Sequence, residues 1–174
     1  FVGKRACEIW GDSETTIQGR SREFDFSKEI KTKVISFQCY KLVFNASKNF
    51  TPNFIYWGRF HKCKNIELAI NFFYKVTKNI ENTKFTLIGP DFGELNKLKK
   101  IAKNLNLNHK ISFYSSMNIF DIANEARNAS FFLQLSPSEG LAMSIVEAMQ
   151  FGLIPIVTNV GEIKNYCIHN TNSI

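Results

Sequence analysis

The chain has 174 residues, of which 44% are hydrophobic and 21% charged, and its 17 phenylalanines supply apolar surface for a sizeable core. This composition excludes an intrinsically disordered chain, and no apolar run approaches the roughly 20 residues that a membrane-spanning helix needs. The net charge of +7 leaves three interpretations open: solvated surface lysines, affinity for an anionic membrane face, or affinity for nucleic acid.

The start of the chain and the spacing of its cysteines are the features that bear on its cellular compartment. Residue 1 is not Met and no signal peptide opens the sequence, so we expect a fragment of a longer, cytoplasmic protein. The four cysteines are widely separated and include no C-x-x-C pair. This spacing predicts neither a zinc site nor a dense disulfide framework, and reduced thiols are typical of the cytosol.

Residues 1–50 carry the weakest pattern in the chain. A run rich in Val, Ile, Phe and Tyr predicts a strand within residues 33–44. The polar stretch 45–53 contains Thr51-Pro52 and predicts a turn or linker. We therefore treat residues 1–50 as an N-terminal segment, either interdomain or carrying an extra strand or helix, and residues 51–174 as the folded domain.

From residue 53 onward, short apolar strands alternate with amphipathic helices. Unbroken apolar runs mark the strands, and apolar residues at helical spacing mark the helices. The predicted strands are 53–57, 85–88, 110–113, 130–135 and 154–158, and the predicted helices are 66–80, 95–105, 119–127 and 142–151. This alternation predicts an α/β fold, a Rossmann-like doubly wound parallel sheet with helices on both faces.

Parallel sheets bind ligands beyond the carboxyl ends of their strands, and five loops of this chain fall there. Arg59 and Lys64 follow the first of these strands. They could hold a diphosphate, Arg through a planar fork and Lys as a mobile charge, and plain surface solvation is the alternative. The fingerprint G-x-G-x-x-G follows none of the strands, which counts against a dehydrogenase. Residues 89–93 predict a tight strand-to-helix turn.

The segment 136–162 reads SPSEGLAMSIVEAMQFGLIPIVTNVGE and carries the clearest chemistry in the chain. It places Glu139 at the start of a predicted helix and Glu147 two turns inside it. A helix N-terminus offers free N–H groups to an anion, and two carboxylates can accept hydrogen bonds from a polyhydroxylated ligand. The combination suits a nucleotide sugar. The alternatives are a first-turn carboxylate favoured by the helix dipole and a solvated helix face.

These segments resemble retaining glycosyltransferases of the GT-B fold, specifically family 4, over about residues 53–170. The likeness lies in the P-S-x-x-E-G-like loop, the second Glu, E-A-M and the x-G-x-P-V-V strand. Upstream it includes NFIYWGRFHKCKN, KFTLIGPDFGELNKL and DIANEARNASFFLQLSPSEG. The resemblance implies a C-terminal, donor-binding domain, one half of a GT-B fold and incomplete at its own C-terminus. Residues 1–50 are too few to form the acceptor-binding N-terminal domain of that fold.

The resemblance also implies a role for each residue at this edge of the sheet. Arg59 and Lys64 would hold the diphosphate of the donor and stabilise the leaving group, and Glu139 would contact hydroxyls of the donor sugar. Glu147 would accept hydrogen bonds from the ribose. The other donor-binding positions are Gly58, Tyr114, Ser115, Met117, Ser138, Gly140 and Leu141. No metal or cofactor is expected, because Arg and Lys replace the cation.

Three departures from the family pattern bear on these roles. The loop 58–64 is shorter than usual and Asn65 replaces the Gly after the Lys, which makes Lys62 the alternative to Lys64. Residues 161–165 read GEIKN and lack the second Gly and the Glu of the family's G-G-x-x-E. Ser115-Ser116 stands where the family often has Gly.

The implied reaction transfers a sugar from a nucleotide diphosphate sugar to an acceptor hydroxyl, with retained configuration. We expect a hexosyltransferase type of enzyme for surface polysaccharide, lipopolysaccharide or glycolipid biosynthesis, with a glycan or lipid-linked acceptor. It would be cytoplasmic, with peripheral contact to an anionic membrane, and the fragment alone would be inactive. A non-catalytic nucleotide- or sugar-binding module is the alternative. Nucleic-acid binding rests on charge alone and predicts a steep salt dependence.

Overall fold

The computed structural model of the chain describes residues 8–11, 14, 16–18, 31–34 and 50–174. Strands β1 (Glu8–Gly11) and β2 (Lys31–Val34) pair in parallel as a two-stranded sheet. The strand predicted within residues 33–44 therefore begins two residues earlier, at Lys31. Residues 35–44, on which most of that prediction rests, lie outside the described residues.

The second sheet is parallel and has five strands in the order β5-β4-β3-β6-β7. Each strand agrees with its predicted position to within one residue at either end, because turn residues bound every apolar run. The α/β prediction is thus confirmed. The strands are β3 (Phe54–Trp57), β4 (Phe85–Ile88), β5 (Ile111–Tyr114), β6 (Phe131–Gln134) and β7 (Ile154–Val157).

The helices connect these strands and cover both faces of the sheet. The connections β3–β4–β5 run to one side of β3, whereas β6–β7 runs to the other, so right-handed crossovers put their helices on opposite faces. None of the helices in the described ranges is long and apolar enough to cross a membrane. The helices are α1 (Ile66–Thr77), α2 (Leu95–Asn104), α3 (Ile119–Ala126), α4 (Met143–Gln150) and the short α5 (Ile163–Tyr166).

The core is built largely from phenylalanine. Phe54 stacks on Phe131 of the neighbouring strand at 5.1 Å between ring centroids, and meets Phe73 of α1 edge-on at 5.6 Å. Phe73 and Phe85 are fully buried, and burial of one such ring contributes roughly 1.5–3 kcal/mol. This aromatic layer joins β3, β4, β6 and α1, and so fixes the strands whose ends carry the predicted site.

The predicted strand-to-helix turn after β4 is confirmed. A Cβ added at Gly89 would lie 1.9 Å from the carbonyl oxygen of Gly58, so only glycine permits this close approach of two loops. One carboxylate oxygen of Asp91 accepts the N–H groups that open α2, and these bonds lower the pKa of Asp91. The donors are Gly93, Glu94 and Leu95, at 2.8, 2.9 and 3.0 Å.

Candidate functional site

The candidate site lies at the carboxyl ends of β3 and β6. These strands are neighbours, and the connections of the sheet reverse direction between them. Open α/β sheets bind ligands at such a reversal point, since the loops diverge there and leave a crevice. The chain leaving β3 carries Arg59 and Lys64, and the chain leaving β6 carries Glu139 and continues into α4 with Glu147. The topology thus puts at one edge of the sheet the four charged residues that the sequence predicted for one site.

Lys64 and Glu139 form an ion pair across this crevice. The ammonium of Lys64 donates to both carboxylate oxygens of Glu139, at 2.7 and 2.8 Å. The two side chains are only 17% and 7% exposed. Because desolvation offsets most of the attraction in such a pair, it contributes little net stability. Its consequence is chemical: an amine and a carboxylate are held against each other at the carboxyl edge of the sheet.

Gln134, the last residue of β6, holds the carboxylate from the other side. Its side-chain amide donates to Oε1 of Glu139 at 2.8 Å, and its own oxygen accepts the hydroxyl of Ser144 at 2.9 Å. Gln134 is 1% exposed, so each of these bonds satisfies a group that would be costly to bury alone. Glu139 is therefore oriented by two donors, Gln134 at the end of β6 and Lys64 in the turn that follows β3.

Asn65 adopts the backbone conformation that a glycine after Lys64 would readily provide. Asn65 has φ 47° and ψ 44°, the left-handed conformation, and asparagine is among the few residues with a side chain that adopt it readily. The backbone can therefore follow a glycine-like path from the turn of Lys62–Lys64 into α1. Lys62, the alternative to Lys64, is exposed to solvent.

The helix that carries Glu147 begins later than predicted. It starts at Met143, one residue after the predicted start, with Ala142 at φ 54°, and Glu139 lies in the loop before it. Glu147 is about one turn inside the helix, whereas two turns were predicted. Its Oε2 accepts the indole N–H of Trp57, the last residue of β3, at 2.8 Å. Both carboxylates are thus hydrogen-bonded to a residue that ends a central strand.

The loop between β6 and α4 is braced by the segment after β7. The N–H of Glu162 donates to the carbonyl of Gly140 at 3.2 Å, and the hydroxyl of Tyr166 donates to the carbonyl of Leu141 at 2.6 Å. Burial raises the pKa of Tyr166, and the nearby charges of Cys167 and Glu139 raise it further. Residues 161–166 therefore support the loop, through a backbone hydrogen bond from Glu162 and the side chain of Tyr166.

Arg59 leans away from the ion pair. Its guanidinium is exposed and lies over the ring of Phe92, 5.7 Å from the ring centroid, beside the loop that follows β4. Behind it, the hydroxyl of Tyr56 donates to the Arg59 carbonyl at 3.3 Å. Burial, and then the charge of Glu139, raises the pKa of Tyr56. The structure thus places Lys64 toward β6 and Arg59 toward β4.

The remaining predicted residues lie along the same edge of the sheet. Tyr114 ends β5, is 43% exposed, and accepts the N–H of Gly89 on its carbonyl at 3.1 Å. With strands about 4.8 Å apart, this position is two strands, or about 10 Å, from β3. Ser115 and Ser138 are exposed, and Met117 packs partly against the core. In the described part of the chain, no three His, Cys, Asp or Glu side chains are grouped as metal ligands.

Sequence reasoning missed three hydrogen-bond donors of the site, Trp57, Gln134 and Ser144. The signal for Gln134 was a single polar residue at the end of the apolar run FFLQL. A buried amide needs partners, and the nearest polar groups along the chain are those of the Glu139 loop. Trp57 offered a similar signal, as an indole at the end of a buried strand.

Comparison with known proteins relates the chain to a glycosyltransferase family. A family model described as glycosyl transferases group 1 matches residues 43–174. A sequence search of curated proteins found no match.

Solved structures with the same fold include three examples. The pneumococcal O-GlcNAc transferase GtfA, in complex with UDP and GlcNAc, matches with a TM-score of 0.80 and 19% identity, over 95% of this chain and 33% of GtfA. HepE of Anabaena, in complex with UDP and glucose, matches at 0.78 and 20%, over 97% of this chain and 49% of HepE. The C-terminal domain of the group 1 family protein LpcC from Francisella tularensis matches at 0.62 and 19%, over 72% of this chain and 67% of that domain. At these identities the likeness is one of fold, and the chain spans a third of the length of GtfA.

Proposed function

The chain belongs to the glycosyl transferases group 1 family, and we propose that it is the C-terminal, donor-binding domain of a retaining, family 4 glycosyltransferase. The observation that carries this proposal is the paired arrangement at the ends of β3 and β6. Lys64 and Glu139 face each other at 2.7 Å, and Glu147 of α4 is hydrogen-bonded to Trp57 at the end of β3. A positive charge suits a diphosphate, and two oriented carboxylates suit the hydroxyls of two sugars.

In this proposal the donor lies along the carboxyl edge of the sheet. Lys64 and Arg59 bind the diphosphate and stabilise the negative charge that develops on it as the glycosidic bond breaks. The N–H groups of Gly140 and Leu141, just before α4, lie near the same phosphates. Because cationic side chains supply this charge, we propose a reaction that needs no metal ion.

In this proposal each of the two carboxylates binds one sugar of the donor. Glu139, at the centre of the crevice, accepts hydrogen bonds from hydroxyls of the donor sugar, and Glu147 accepts those of the ribose. The exposed loop 114–117 after β5 then contacts the base. HepE and GtfA, which share this fold, were solved with UDP and a sugar, and this supports a nucleotide sugar as the ligand class here.

We further propose that the whole enzyme is a hexosyltransferase of surface polysaccharide, lipopolysaccharide or glycolipid biosynthesis. A second domain would hold the glycan or lipid-linked acceptor, and this chain alone would not turn over. The net charge of +7 favours peripheral contact with the anionic cytoplasmic face of a membrane.

Calorimetry with UDP and GDP, with and without a sugar, tests the donor site directly. We expect the chain to bind at least one of these nucleotides, and the Glu147→Ala variant to bind it roughly tenfold more weakly, since a hydrogen bond to a charged group is lost. The variant Glu125→Ala, on α3 away from the crevice, is the matched control. Absence of heat at millimolar nucleotide, together with no effect of Glu147→Ala, would remove the proposal.

A non-catalytic nucleotide- or sugar-binding module is the second candidate. It is favoured by residues 161–165, which lack the second Gly and the Glu of the family's G-G-x-x-E. An assay of donor hydrolysis or transfer by the full-length protein separates the two candidates. An enzyme releases free UDP or GDP from the donor it binds, whereas a binding module holds the donor unchanged.

A further inference from the structure

Trp57 is the residue of the site whose presence the donor-binding roles do not explain. It ends β3 and is 5% exposed. Its ring packs against Phe132, with centroids 4.6 Å apart, and against Phe151, at 5.7 Å. Phenylalanine or leucine would fill such an apolar pocket as well. What tryptophan adds is one N–H group, and that group points at Glu147.

The hydrogen bond to Glu147 restrains a side chain that is otherwise free to rotate. A glutamate on a helix surface has several rotamers, and fixing it costs conformational entropy each time a ligand binds. The indole is itself fixed by two aromatic contacts and holds Oε2 at 2.8 Å. Within the part of the chain that the structure describes, Oε1 receives no hydrogen bond from a protein donor. The carboxylate therefore keeps one oxygen available to a ligand donor, on a side chain that is already held in place.

We propose that Trp57 is a positioning residue that orients Glu147 toward the ribose and thereby sets a preference for ribonucleotides over deoxyribonucleotides. This inference rests on the proposed donor site. A bond to the 2′ or 3′ hydroxyl forms at low entropic cost only if the carboxylate is already in place. Trp57 does not touch the nucleotide; it acts through Glu147.

The test compares ribose selectivity in Trp57→Phe with that of the unchanged chain. Phenylalanine keeps an aromatic ring facing Phe132 and Phe151 but removes the N–H together with part of the ring volume. Calorimetry with UDP and with 2′,3′-dideoxy-UDP gives the ratio of the two dissociation constants. We expect Trp57→Phe to weaken UDP binding roughly tenfold, to leave the dideoxy nucleotide unaffected, and so to bring the ratio close to one. Phe151→Leu is the matched control, because it loosens the same aromatic cluster but keeps the indole bond, and its ratio should stay unchanged.

The outcomes separate this inference from the proposed function. If the unchanged chain binds no nucleotide, the donor site itself is lost. If it binds UDP and Trp57→Phe shows the same ratio, only the positioning role is overturned. If Trp57→Phe fails to fold, the fluorescence of Trp57 provides a second test. It is measured in the variant Trp10→Phe, where Trp57 is the one tryptophan left of the two in the chain. Saturating UDP should then change its emission and dideoxy-UDP should not, and equal responses to both overturn the inference.

Discussion

The ammonium of Lys64 lies 2.7 and 2.8 Å from the two carboxylate oxygens of Glu139, although 75 residues separate them along the chain. The pair leaves each charge neutralised in a crevice that water barely reaches. A diphosphate that enters must therefore share an ammonium already engaged by a carboxylate. The two partners of the pair should then have opposite effects on nucleotide binding.

Removing the charge of Glu139 should tighten the binding of UDP. In Glu139→Gln the amide keeps the shape of the side chain and its hydrogen-bonding distance, but it no longer competes for Lys64. We expect UDP to bind a few-fold more tightly, because the ammonium faces the phosphates alone. We also expect the UDP-sugar to bind no more tightly than UDP alone, because the carboxylate that would accept hydrogen bonds from the sugar hydroxyls is gone. Calorimetry with UDP and with the UDP-sugar measures both, and unchanged binding of both ligands contradicts the assignment.

Lys64→Met should act in the opposite direction. Methionine preserves most of the aliphatic stem, and the loss of a charge-assisted phosphate contact should weaken UDP binding roughly ten- to hundredfold. Lys62→Met is the matched control, because Lys62 lies in the same turn but is exposed, and we expect less than a threefold change there by surface-charge arguments. Equal losses of UDP affinity in the two variants would mean that the overall charge, and not the position of Lys64, determines binding.

Gly161 should tolerate no side chain, in contrast to Gly152. Both have positive φ, +57° and +72°. A Cβ at Gly161 would lie 1.9 Å from the carbonyl oxygen of Glu139, whereas one at Gly152 meets nothing within 4 Å. Gly152→Ala should therefore cost only backbone strain, about 1 kcal/mol. Gly161→Ala should cost about 2 kcal/mol or more and should also weaken nucleotide binding by moving the Glu139 loop. Urea unfolding and calorimetry measure the two effects, and equal unfolding free energies contradict the close packing of these loops.

The strands of the large sheet were predictable because their signal is local. Apolar runs such as FTLI and IPIV are bounded by Gly, Pro or Asn, and a doubly covered sheet requires such runs. Because the strands alternate with helices, their carboxyl ends lie at one edge of the sheet. The sequence therefore predicted that edge as the place of Arg59, Lys64, Glu139 and Glu147.

The contacts within the site were not predictable, because they depend on pairs of residues that lie far apart in sequence. The bonds from Trp57 to Glu147 and from Lys64 to Glu139 span 90 and 75 residues, and no local pattern encodes them. The start of α4 was misplaced for a different reason. Ala142 is a good helix former, yet the tertiary packing of the loop puts it at φ 54°, so the helix begins one residue later.

Ala142→Gly should stabilise the chain. Alanine at φ 54° bears a strain of about 1–2 kcal/mol that glycine does not, and the greater freedom of glycine in the unfolded chain offsets about 0.4–1 kcal/mol of it. We expect a net gain of about 0.5–1 kcal/mol in the free energy of unfolding. Asn106→Gly is the matched control at φ 57°, where asparagine is less strained and the gain should vanish. Denaturant unfolding compares them, and a loss of stability in Ala142→Gly contradicts the left-handed assignment.

The two buried tyrosines should make the fold sensitive to alkali. Burial raises the pKa of both Tyr56 and Tyr166 above the ordinary value of 10.0, so the folded chain keeps protons that the unfolded chain releases. The stability that these groups provide is complete below pH 10 and is lost as the pH rises above it. Each tyrosine should lower the free energy of unfolding by up to about 1.4 kcal/mol per pH unit in that range.

Substitution of either tyrosine isolates its share of this pH dependence. Tyr56→Phe removes the hydroxyl that donates to the Arg59 carbonyl at 3.3 Å, and so lowers stability by about 1 kcal/mol at neutral pH. Above pH 10, however, the free energy of unfolding of Tyr56→Phe should fall less steeply with pH, because this position no longer carries a proton that can be released. Tyr166→Phe should reduce the slope in the same way while loosening the loop at Leu141. Urea unfolding between pH 8 and pH 11 measures both quantities. A slope that is identical in the unchanged chain and in both variants would show that the tyrosines ionise in the folded state as readily as in the unfolded one.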